Sequence, residues 1–76
     1  MRSYFATQGK RVHADGWQGV LMWAKEQIQN DPTPVKILTA RAGDRTAKVV
    51  AEVTLEGGRL IEQGRQVPLR SLYGKA

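Results

Sequence analysis

The chain has 76 residues, of which 41% are hydrophobic, enough apolar surface for one core and too little for two. It contains no cysteine and a single histidine, His13, which excludes a disulfide framework and any zinc site built from Cys/His clusters. Twelve Lys and Arg against seven Asp and Glu leave a net charge of +5, which favours polyanionic partners, either nucleic acid or an acidic protein surface.

From the start of the chain, Ser3 to Thr7 and Lys10 to His13 flank Gln8-Gly9, which predicts a first hairpin. The opening residues hold no apolar run of leader type, and no later stretch approaches the ~20 apolar residues of a membrane span, so a cytoplasmic protein that does not enter a membrane is expected. Asp15-Gly16-Trp17-Gln18 reads as a helix start, with Asp15 as N-cap and Gln18 three residues later to reach back. Trp17, Val20, Leu21, Ala24 and Ile28 then recur at helical spacing, and the helix stops at Asn30 before Asp31-Pro32-Thr33-Pro34, whose prolines lack an N–H.

Val35 to Arg41 reads as a strand followed by an Ala42-Gly43-Asp44 turn. In the next strand Ala47, Val49, Ala51, Val53 and Leu55 alternate with more polar neighbours, the period-2 pattern of a sheet with one buried face. Gly57-Gly58 predicts a tight turn into a strand from Arg59 to Gln63. Gln66-Val67-Pro68-Leu69 fits a short edge strand, since Pro is tolerated in a ladder mainly at an edge, and Leu72 and Tyr73 in the tail are placed to close over that edge. The expected architecture is α+β in two layers: one helix packed on an antiparallel sheet of three to five strands, in the approximate order ββαβββ.

Catalysis requires reactive groups converging on one point, and with one His, no Cys and scattered carboxylates no triad, metal set or cofactor motif can be composed. Glu52 and Glu56 could share a strand face, where a solvated pair of carboxylates is the ordinary reading. The chain lacks the signatures of an RNA-recognition motif, a KH module, a cold-shock barrel or a helix-turn-helix. A non-enzymatic binding domain, needing neither cofactor nor metal, is therefore expected.

Two surfaces are candidates. The first is basic: Lys10 and Arg11 beside His13, on a ribbon expected near the helix N-terminus; Arg41 and Arg45 about the 42–44 turn; Lys48; and Arg59 at the last hairpin. These six would take phosphates in a nucleic-acid-binding or regulatory domain. The second is apolar: at about 100° per residue Met22 falls about 140° and Trp23 about 240° from Trp17, so both leave the core stripe. They either pack under the hairpin and tail or are displayed to a protein partner, together with an exposed strand edge, as in the compact inhibitors and adaptors carried by phages, plasmids and other mobile elements. Self-association is a further option for so small a chain.

Overall fold

The structure, a computed structural model, describes residues 2–73, with the Tyr73 side chain outside the description. Its elements run β1 (Arg2–Gln8), β2 (Arg11–Asp15), α1 (Trp17–Asn30), β3 (Val35–Arg41), β4 (Thr46–Thr54), β5 (Gly57–Leu60), β6 (Gln66–Pro68) and α2 (Leu69–Tyr73). Every strand pairing is antiparallel, in the order β2-β1-β3-β4-β5, with β6 also on β4. The α+β class and the helix on an antiparallel sheet are as the patterning predicts. The sheet has six strands rather than three to five, and the order ββαβββ is extended by β6 and a short closing helix. Leu69, expected in the edge strand, opens α2 instead, where the Ser71 hydroxyl donates to the Pro68 carbonyl.

The single buried face predicted for β4 is corrected to two. Ile37 pairs with Ala51 but Leu38 pairs with Val49, leaving Val50 as an extra residue in β4. A bulge of this kind inverts side-chain parity along the strand. Ahead of it Ala47 and Val49 point to one face, with Phe5, Leu38, Ala40 and Leu72; beyond it Ala51 and Val53 point to the other, with Ala6, Val35 and Ile37 under Val20, Ala24 and Ile28 of α1. Both faces of the sheet carry a core. We call them the far face and the helix face.

The chain covers the far face by leaving the sheet at the bulge. The Ile61 N–H donates to the Val50 carbonyl, residues 61–65 cross that face, and the Val49 N–H donates to the Arg65 carbonyl as the chain returns in β6. Ile61, Val67, Leu69 and Leu72 close the second core. The strand expected from Arg59 to Gln63 therefore ends at Leu60, and its turn falls at Leu55-Glu56, with Gly57 and Gly58 paired to Thr54 and Val53 inside β5. Gly64 sits where the crossing segment presses on β4: a Cβ there would overlap the Val49 carbonyl.

At the start of α1 the expected cap is replaced. Gly16 is the N-cap and receives no side-chain cap, because Asp15 is still in β2 and its carboxylate turns back on the Gly16 N–H at 2.8 Å. The helix does stop at Asn30, followed by Asp31 whose carboxylate accepts from the Thr33 N–H at 3.0 Å. Buried Gln8 ties this corner to β1 by donating from its amide to the carbonyls of Asp31 and Thr33, both at 2.9 Å.

Candidate nucleic-acid interface

Strand parity brings three cations together at one end of the helix face. On β1 and β3 the even-numbered and odd-numbered positions respectively face α1, which puts Arg2 opposite Arg41. On β4, ahead of the bulge, it is the even positions that do so, which puts Lys48 opposite Thr39 and, across the other edge, opposite Gln66 of β6. Arg2, Arg41 and Lys48 line a hollow of about 270 Å³ with Asp44, Thr46 and Gln66. None of the three cations is in an ion pair among the described residues. Asp44 holds the turn in shape, accepting from the Arg41 N–H at 2.9 Å, and the Thr46 hydroxyl donates to the Gln66 side-chain oxygen at 3.3 Å.

Next to the basic hollow is an aromatic one of about 420 Å³, which shares Arg2 and Thr39 with it and adds Tyr4, Trp17, Val50 and Leu60. Tyr4 and Trp17 meet edge to face, ring centres 5.3 Å apart at 61°. Both rings are half-buried, and Leu60 beside them is 77% exposed. The helix begins at Trp17 and runs away from this end, so the sheet beyond its first turn is uncovered. Cations, hydroxyls and two aromatic rings thus share one continuous shallow surface.

Of the six predicted basic residues, the structure brings Arg41 and Lys48 into this surface and puts Arg45 on the adjoining turn. The other three lie elsewhere. Lys10 is at the β1–β2 turn and Arg11 opens β2, at the opposite end of β1 from Arg2. Their expected place near the helix N-terminus is corrected: a single residue, Gly16, joins β2 to α1, so the helix doubles back and its C-terminal half reaches Arg11, which donates to the Gln27 side-chain oxygen at 2.8 Å. The helix N-terminus has Asp15 beside it, and the Gly16 N–H bond, then the hydrogen bond from His13, hold that carboxyl below its ordinary value. Arg59 pairs with Glu52 of β4 at 3.2 Å.

The two off-stripe residues separate. Trp23 is half-buried against the helix-face core, with His13 stacked on it at 5.4 Å and 4°. Met22 is 62% exposed, so the described part of the chain does not bury it. The residues that pattern reading passes over are Arg2, Tyr4 and Trp17. Arg2 lies outside the strand predicted from Ser3, and the helical stripe assigns Trp17 to the core alone.

Among the described residues no three His, Cys, Asp or Glu side chains gather as a metal-ligating group. His13 meets Asp15 at 3.4 Å, but it is stacked on Trp23 and the Ser71 hydroxyl is engaged with Pro68. The far face holds a hollow of about 430 Å³ floored by Leu38, Val49, Ile61, Val67 and Leu72, with Lys36 and Arg65 at its rim. Comparison with protein families, with curated proteins and with solved structures gives no match.

Proposed function

We propose that this chain is a small, basic, non-enzymatic domain that binds single-stranded nucleic acid across the uncovered end of its helix face. The observation that carries the reading is the convergence of Arg2, Arg41 and Lys48, without ion-pair partners among the described residues, on one hollow that continues into the Tyr4–Trp17 pair. Phosphates on the cations and a base laid on the aromatic pair is the combination by which single strands are held without sequence readout. The net charge of +5 adds long-range attraction for the same ligand.

A fluorescence titration with a short labelled oligonucleotide tests this, run against its duplex and over a salt series. The single strand should bind more tightly, quench Trp fluorescence, and weaken with a log–log salt slope of about 2, at about 0.7 for each of three phosphates. Binding indifferent to salt sinks the reading. A protein partner is the second reading, favoured by exposed Met22 and by the outer edge of β2, which is unpaired among the described residues; it uses neither hollow.

A further inference from the structure

Among the described residues no strand pairs with the outer edge of β2, and the sequence of that edge is complementary to itself. β1 and β2 are joined by the two-residue turn Gly9-Lys10, with Gly9 at φ 60°, so Gln8 and Arg11 form the hydrogen-bonded pair next to the turn. Pairs then alternate along the ladder. Arg11, His13 and Asp15 direct their backbone groups to β1, while Val12 and Ala14 direct theirs outward. Only these outward groups are available to another strand.

We infer that β2 pairs antiparallel with β2 of a second copy about a twofold axis at His13, giving a sheet continuous through both copies. In that register Val12 lies opposite the second copy's Ala14, and the outward N–H and carbonyl groups of both are satisfied. Arg11 lies opposite the second copy's Asp15, twice, as a pair not bridged by backbone hydrogen bonds, where side chains are closest. Edge charges ordinarily repel a second strand. Here the two charges have opposite sign and stand equally far from the centre of the strand, so the axis converts them into two cross-strand ion pairs. Both are exposed and keep capacity for this: Arg11 commits one guanidinium nitrogen to Gln27, and Asp15 gives one oxygen to Gly16 and the other to His13 at 3.4 Å, each carboxylate oxygen retaining a second lone pair for the facing guanidinium. β5 and β6, of four and three residues, offer no comparable uninterrupted edge.

The axis is normal to the sheet, so both helices and both basic hollows fall on the same side of the dimer. The inference does not depend on what those hollows bind.

Sedimentation equilibrium over a concentration series tests it with two charge variants. Arg11→Asp sets two carboxylates opposite each other in its own dimer, and Asp15→Arg sets two guanidiniums opposite each other. Each alone should be monomeric at concentrations where the native chain doubles its molar mass, with a circular dichroism spectrum like that of the native chain. Mixed one to one, the doubly acidic strand of the first variant faces the doubly basic strand of the second, opposite charges meet at both cross-strand positions, and a heterodimer should form. A fold defect in either variant cannot produce that rescue. A native chain that stays monomeric to millimolar concentration overturns the inference, as does a dimer that both variants retain or a mixture that stays monomeric.

Discussion

Ile37 and Leu38 are neighbours on one strand and belong to two different cores. Ile37 packs under α1 with Ala51, Leu38 packs beneath the crossing segment with Val49, and the unpaired Val50 between those partners allows β4 to serve both. The sheet is therefore a partition, and truncations on its two sides should act independently. Ile37→Val should cost about 0.5–1.5 kcal/mol. Val49→Ala should cost about 1.5 kcal/mol, from about 0.8 for each of two buried methyl groups. The double variant in urea unfolding should match the sum to within about 0.5 kcal/mol. A large coupling term would mean that the two clusters pack as one.

Gly64→Ala tests the crossing segment. The added methyl meets the Val49 carbonyl, which is backbone and fixed by β4, so relief requires residues 61–65 to lift from the far face. The cost should lie at the top of the roughly 1–3 kcal/mol range for overpacking. In a domain of this size that is a fall of more than about 10 °C in Tm. Hydrogen exchange at the Val49 and Ile61 amides should accelerate with it, while the β1–β3 ladder keeps its protection.

These two features also mark where the sequence stops being readable. The α1 stripe, its Pro-terminated end, the first hairpin and the 42–44 turn are local, and local spacing and turn chemistry determine them. The bulge is not local. Ala47, Val49, Ala51 and Val53 alternate without a break, and only pairing with β3 reveals that they divide between two faces. The candidate interface fails to show for the same reason: Arg2, Arg41 and Lys48 are far apart in the chain and become neighbours through register alone. Asp15 misleads because an acidic residue before a helix resembles a cap whether or not a strand still holds it.

Trp23 and Met22 give a paired prediction. Trp23→Ala removes the stack on His13 and part of the helix-face packing, and should cost about 2–3 kcal/mol, below the roughly 3–5 kcal/mol of a fully buried Trp. Met22→Ala on the solvent side should stay within about 0.5 kcal/mol. Thermal melts of both variants decide it. Equal losses would place Met22 in a packed environment.

Acid should destabilise the domain in a defined window. Asp31 is held below its ordinary carboxyl value, first by the Thr33 backbone hydrogen bond, and Asp15 likewise by Gly16 and then His13. A lowered folded-state value means the unfolded chain takes up the proton first as pH falls. The stabilisation is complete above the ordinary carboxylate range and disappears as pH drops through the lowered values. Carboxyl NMR titrations should find Asp15 and Asp31 below an unstructured Asp. Asp31→Asn, which cannot ionise, should flatten part of the fall in Tm by lowering Tm slightly at neutral pH, where the native carboxylate's stabilisation is complete, and leaving it unchanged in acid.

The division of the basic residues into those at the hollow and those away from it gives the sharpest prediction for ligand binding. Net charge alone predicts that removing any cation weakens an oligonucleotide equally, through the general field. The geometry predicts otherwise. Arg2→Gln, Arg41→Gln and Lys48→Gln should each reduce affinity and lower the salt slope by about 0.7, the value for one single-strand phosphate contact. Lys10→Gln lies at the far end of β1, and Arg59→Gln removes a side chain engaged by Glu52, so both should leave the slope unchanged. Tyr4→Ala should lower affinity with no change of slope, by an amount within the ~1–3 kcal/mol of one base stack, because it removes an uncharged contact. Equal slopes for all five charge variants would assign the binding to net charge and remove the case for a built site at Arg2, Arg41 and Lys48.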